Sequence, residues 1–213
     1  SVDAGSSWDT ITNDVTGDPD TALSTGITLS GTSAIHLRIT DDAGNAGTAD
    51  TTSYVLDTTA PTVTVGSTDI SADTGTADDD FNTKTAAQTI TCTLTGALDG
   101  TDVLHITVDA GSNWAVATSS VSGTAVSVAS QTLSGSSSIN FKVADAAGNE
   151  LASSAQSYTL DTTAPTQTYS SVDISDDTGT AADDFNTNTA AQTLTATLSA
   201  AIASDDILQI SVN

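Results

Sequence analysis

Aspartate is the side chain in this sequence whose abundance and spacing could do chemistry. Of 27 acidic residues, only Glu150 is a glutamate. The Asp residues stand beside Gly, Asn, Ser and Thr, as in Asp41-Asp-Ala-Gly-Asn45, Asp145-Ala-Ala-Gly-Asn149 and Asp73-Thr-Gly-Thr-Ala-Asp-Asp-Asp80. A short carboxylate in such company can close a turn by accepting backbone amides. It can also present a hard oxygen to Ca²⁺, which takes about 6–8 oxygen ligands. Both roles remain open for each Asp at this point. No loop has the strict EF-hand form, Asp-x-Asp-x-Asp-Gly with Glu at its end. Arg38, Lys84 and Lys142 are the whole basic complement, and the net charge is −24. That balance excludes nucleic acid and anionic membrane as partners. His36 and His105 alternate with apolar neighbours and read as surface strand residues, not bases or zinc ligands. No Ser occupies a Gly-x-Ser-x-Gly elbow, so no enzyme is expected.

The elements that must position these residues are organised around a phrase that occurs twice. Asp57-Thr-Thr-Ala-Pro-Thr62 and Asp161-Thr-Thr-Ala-Pro-Thr166 lie 104 residues apart. Pro lacks an amide donor and forces the preceding residue into extended geometry, so the phrase reads as a stiff connector. Other phrases recur in the same order. Val2-Asp-Ala-Gly-Ser-Ser-Trp8 matches Val108-Asp-Ala-Gly-Ser-Asn-Trp114, and the run from Asp69 to Phe81 matches that from Asp173 to Phe185. The first copy carries two extra residues near positions 16–21. Such repetition means a tandem array. The expected division is 1–56, the C-terminal half of a repeat; 57–61, a linker; 62–160, a complete repeat; 161–165, a linker; and 166–213, the N-terminal half of another.

Composition favours β-structure, because Thr and Val fit a pleated sheet and long helical patterns are absent. Seven strands are expected in the complete repeat: A at 62–69, B at 87–98, C at 102–109, D at 113–118, E at 124–133, F at 137–144 and G at 153–160. Inward faces carry Ile90, Cys92 and Leu94; Leu104, Ile106 and Val108; Ile139, Phe141 and Val143; Tyr158 and Leu160. Trp8 and Trp114 should pack in or at the rim of the core. Seven short alternating strands predict an all-β fold of tandem immunoglobulin-like seven-stranded sandwiches in a linear array. No apolar run reaches the ~20 residues that span a bilayer, so no membrane insertion is expected. A single Cys excludes an intrachain disulfide framework.

Sandwich topology turns the Asp phrases into a site argument. Asp57 should face the B–C loop (Asp99, Asp102) and the F–G loop (Asp145, Asn149) of the following repeat. Asp41 holds the place of Asp145 one repeat earlier. Asp161 should face the A–B loop (Asp73, Asp79, Asp80) and Asp109 of the preceding repeat, with Asp205 and Asp206 on its other side. Asp177, Asp183 and Asp184 repeat the A–B loop. Carboxylates gathered in this way repel one another unless calcium lies between them, so calcium is the expected cofactor.

The phrases Asp-Thr-Thr-Ala-Pro-Thr, Asp-x-Ala-Gly-Asn, Val-Asp-Ala-Gly-Ser-x-Trp and Ile-Ser-x-Asp-Thr-Gly-(x)4-Asp-Phe, taken together, resemble bacterial Ig-like extender repeats of large RTX-type surface adhesins, the biofilm and ice-binding kind. The resemblance runs along essentially the whole chain. It implies a calcium-rigidified spacer at the extracellular cell surface, whose partners are neighbouring repeats. The alternative is a subunit of an extracellular filament or sheath, in which identical neighbours complete each other's half-domains.

Overall fold

The computed structural model describes residues 7–11, 26–181, 183–204 and 206–212. The opening phrase before Ser7, the expected insertion at 16–21 and Asp205 lie outside the described residues. The chain divides into two compact units, Ser1–Asp161 and Thr162–Asn213. The fold is all-β. The strands are β1 (Ser33–Leu37), β2 (Asp50–Tyr54), β3 (Asp69–Ile70), β4 (Asn82–Thr83), β5 (Ala87–Thr93), β6 (Val103–Thr107), β7 (Ala115–Val116), β8 (Val121–Ser122), β9 (Ala125–Thr132), β10 (Ser136–Ala144), β11 (Glu150–Ala152), β12 (Gln156–Leu160), β13 (Tyr169–Ile174) and β14 (Leu194–Leu198). Among the described residues, no helix is long and apolar enough to cross a membrane.

Residues 62–160 form two sheets around one core. One sheet has the order β3-β5-β9-β8; the other runs β4-β12-β10-β6-β7, with β11 also on β10. Strict alternation builds the core. Ile90, Cys92 and Leu94 face Leu104 and Ile106, and Ile139, Phe141, Val143 and Tyr158 close the same cluster. Their polar neighbours in sequence point outward, which is why one face of each sheet dries and the other stays wet. Between Gln88 and Ile90 the β5–β9 register slips. Ser130 there takes φ 59°, a bulge that bends the sheet.

Several strands are shorter than their sequence suggests. Of the run 62–69, only Val65 pairs, opposite Leu94, before β3 begins. The Pro61 connector holds this entry extended, yet Val63 and Val65 still pack against the core. The run 113–118 reduces to β7 and a single 3-10 turn, Thr118–Ser120. Val108, expected inward, is half-buried, and Thr107 is buried instead. β6 ends there, because the Thr107 hydroxyl donates to Asp109 Oδ1 at 2.5 Å and turns the chain. Two elements had no sequence signal. β4 lies inside the acidic loop and pairs in parallel with β12, Thr159 opposite Asn82 and Leu160 opposite Thr83. β11 is a three-residue edge strand.

The flanking copies repeat the same ladders. β1 and β2 pair with Ser33 opposite Tyr54, as Ser137 lies opposite Tyr158 in the central copy. In the second unit, Ile174 lies opposite Leu194, as Ile70 lies opposite Ile90.

Candidate cation sites in the acidic loops

Hydrogen bonding separates the Asp residues into different kinds. Asp145 closes its own loop. Its Oδ1 accepts the amides of Ala147 and Asn149, each at 2.9 Å, and its Oδ2 accepts Asn149 Nδ2 at 2.9 Å. Asp41 does the same with Ala43 and Asn45. Asn149 and Asn45, with the other donors of each loop, hold these carboxyls below the usual carboxylate range. Asp109 is the extreme case: donors from Thr107 and Asn113 bring it down to about 2. Hydrogen bonds to the charged form are the cause in each case. For Asp41, Asp109 and Asp145, the turn-closing role accounts for the residue type. Asp206 also caps a turn, its Oδ2 accepting the Ala203 amide at 3.1 Å.

The first connector lines a cleft. Asp57, Asp99, Asp102 and Asp145 share the walls of an open hollow of about 500 Å³ with Pro61, Thr62 and Val63. Asn149 Nδ2 donates to the Asp57 carbonyl at 3.1 Å, tying the connector to the loop after β10. Asp57 Oδ1 accepts the Thr59 amide, and Asp99 Oδ1 accepts the Gly100 amide. The Asp102 carboxylate accepts no hydrogen bond from the described residues. The side chains expected around Asp57 are therefore brought to one cleft.

The loop between β3 and β5 is built differently, and it is built twice. The Phe81 amide donates to Asp73 Oδ2 at 2.8 Å, and the Asn82 amide donates to Asp80 Oδ1 at 2.9 Å. One repeat later, Phe185 donates to Asp177 Oδ2 at 2.9 Å and Asn186 to Asp184 Oδ1 at 3.0 Å. A buried Gln88 ties down the loop base through Ala72 and Thr85, and Gln192 repeats this with Asp176 and Thr189. Phe81 and Phe185 adopt φ 59° and 56°, a region costly for a bulky side chain. In the central copy, that turn buries the Phe81 ring while aiming its amide at Asp73. Glycine is required nearby: a Cβ on Gly75 would lie 2.7 Å from Asp80 Oδ1, and one on Gly179 would lie 2.7 Å from Asp184 Oδ1.

This geometry leaves a charged oxygen unsatisfied. Asp73 Oδ1 and Asp177 Oδ1 are both buried, without a hydrogen-bond partner among the described residues. Each carboxyl also interacts with the second acid of its loop, Asp80 or Asp184, and helps to hold it charged. The amide of Asn82 first, and that of Asn186 first, hold these second acids below the usual range. Two carboxylates cannot donate to each other, so the orphaned oxygen calls for a proton, a water or a cation. Among the described residues, no three His, Cys, Asp or Glu side chains form a metal group. A calcium ion held by Asp73 and Asp80 would therefore draw its other oxygens from backbone carbonyls and water, as hard cations do. Asp79 and Asp183 are exposed on the same loops. The Asp161 amide donates to the Thr83 carbonyl at 2.9 Å, which fixes the second connector beside the end of this loop.

The remaining reactive types lie outside the acidic loops. Burial pushes the Cys92 thiol up to about 11, which makes it inert. His105 stands on the outer face of β6, opposite Lys142 of β10. Trp114 is half-buried outside the core, with Lys142 Nζ 4.7 Å from its ring centroid, and Arg38 Cζ lies 3.9 Å from that of Trp8. Lys142 also pairs with Glu150 at 2.6 Å. The signal that could single out Asp73 was in the sequence: the next-but-one Gly and a Phe eight residues on recur together in the second copy.

Compared with models of known protein families and with curated proteins, the chain matches none.

Proposed function

We propose that the chain is a stretch of extender repeats from a large bacterial cell-surface adhesin, rigidified by calcium. In this reading, tandem immunoglobulin-like sandwiches form a spacer that holds an adhesive end away from the cell, in the extracellular space. The strand order of residues 62–160 supports the immunoglobulin-like part, with β5 and β9 in one sheet and β6, β10 and β12 in the other. One observation carries the calcium part: the Asp73–Asp80 loop, with its orphaned buried oxygen, recurs at Asp177–Asp184. Identical loops one repeat apart suit a spacer that needs the same lock in every module. Calcium would neutralise the paired carboxylates beside the Asp161 connector. The acidic cleft at Asp57, Asp99 and Asp102 would attract the ion by its charge, without presenting a three-carboxylate group among the described residues.

The size of the native polypeptide tests the spacer reading. An antibody against residues 62–160 should detect a surface protein of hundreds of kilodaltons on blots of intact-cell extracts. Detection only of a polypeptide of about 213 residues would exclude the array and leave the filament subunit.

A further inference from the structure

Tension carried along the chain must cross residues 62–160, entering at the Asp57 connector and leaving at the Asp161 connector. The last strand before the exit is β12, and its neighbour at the sheet edge is β4. Among the described residues this is the one parallel pair; every other pair is antiparallel. The Thr159 amide donates to the Phe81 carbonyl at 3.0 Å, and the Asp161 amide donates to the Thr83 carbonyl at 2.9 Å. A pull from the first connector acts on the Asn82 end of β4, and a pull from the second acts on the Leu160 end of β12. In a parallel pair those are opposite ends. The bonds between the strands then lie across the pull and share it, instead of opening one after another.

The acidic loop delivers the pull to β4. β3 is two residues long and passes its load into the loop at Ser71. There the loop base is bridged. Thr83 Oγ1 donates to the Ala72 carbonyl at 2.6 Å, the Ala72 amide donates to Gln88 Oε1 at 2.9 Å, and the Lys84 amide donates to Thr74 Oγ1 at 2.9 Å. Load therefore crosses the base from Ala72 to Thr83 without first unravelling the residues between them. The buried Phe81 ring anchors the start of β4 in the core. The bridge recurs one repeat later, with Thr187 Oγ1 donating to the Asp176 carbonyl and the Asn188 amide to Thr178 Oγ1.

We infer that β4 and β12 form a shear clamp, the element that resists opening of the repeat when the chain is pulled through its two connectors. The clamp gives the spacer reading a load-bearing part but does not rest on it. It needs only a continuous chain through both connectors, and neither calcium nor an adhesive end. Resistance to forced unfolding is set by the unfolding rate under load, not by equilibrium stability, so it depends on the direction of the pull.

The test uses the 213-residue chain with Cys92→Ala, a position where the next repeat already has Ala196. The chain is pulled in an optical trap through DNA handles on paired cysteines. Thr58→Cys with Thr162→Cys loads opposite ends of the clamp. Lys84→Cys with Thr162→Cys loads the same end, so the two strands peel apart. All three positions are exposed. Two evenly loaded bonds that share the pull, instead of meeting it in turn, should make the rupture force about twofold higher in the first direction. Equal forces in the two directions, or a lower force in the first, would overturn the inference. Asp161→Pro removes the donor to the Thr83 carbonyl and should bring the ratio of the two forces towards one. An unchanged ratio would also overturn the clamp. The comparison of directions leaves both strands unaltered, so it decides the matter even where Asp161→Pro does not fold. Its failure would leave the size of the native polypeptide, and with it the spacer reading, untouched.

Discussion

Calcium at about a hundred times its dissociation constant should stabilise a repeat by about 2.7 kcal/mol per loop site. For extracellular modules, which bind at about 10⁻⁴–10⁻³ M, that condition means 10 mM calcium or more. At about 4–8 °C per kcal/mol for a domain of this size, the melting temperature should rise by about 10–20 °C relative to EDTA. The double variant Asp73→Asn and Asp177→Asn should lose most of the rise. In EDTA, the same variant should melt no lower than the parent. A neutral Asn in place of Asp73 removes one buried charge and can bring an amide donor to the orphaned position. A loss in calcium with none in EDTA separates a cation ligand from a merely structural Asp, whose loss would lower both temperatures. Scanning calorimetry in each condition makes the measurement. An equal calcium response in parent and variant would show that these loops do not hold the ion.

The second large effect belongs to the core. Phe141→Ala should destabilise the central repeat by about 3–5 kcal/mol, the transfer and cavity cost of deleting a buried aromatic ring. Phe141 is fully buried on β10, opposite Ile106 and among side chains of both sheets. Neighbouring strands hold the backbone on both sides, so the site cannot collapse to fill the void. Val116→Ala on β7 is the control. Val116 is largely exposed, and its loss should cost within about 0.5 kcal/mol. Urea titration followed by Trp114 fluorescence, in a Trp8→Phe background, compares the two. A loss below about 1 kcal/mol for Phe141→Ala would contradict a single core shared by both sheets.

The core was legible in the sequence because side-chain alternation along a strand is local and has a period of two. Ile90, Cys92 and Leu94, or Ile139, Phe141 and Val143, declare their face without reference to anything distant. The copies were legible because their phrases repeat, and the ladders follow the same positions. β4 was not legible, since two residues have no period and their partner, the end of β12, lies far along the chain. Nor was the slip between Gln88 and Ile90, which depends on the backbone of Ser130.

The acidic sites divide along the same line. Residue type marked Asp41, Asp73, Asp80 and Asp145 alike as possible ligands. What distinguishes them is the direction of nearby amides. Asp145 has Ala147 and Asn149 turned towards it, whereas Asp73 receives the Phe81 amide on one oxygen only. That asymmetry comes from the left-handed conformation of Phe81. A bulky aromatic gives no warning of it in sequence. The local trace is the recurrence of Gly75 and Phe81 as Gly179 and Phe185, and only a residue without Cβ at Gly75 leaves room for the Asp80 oxygen.

Small-angle scattering of the chain in calcium and in EDTA, at a concentration where its mass is fixed, tests the calcium-locked spacer most directly. Neutralising the acids beside Asp57 and Asp161 should stiffen both connectors. The maximum dimension should therefore be longer, and its distribution narrower, with calcium than with EDTA. Identical profiles in the two conditions would contradict calcium as the lock of this array.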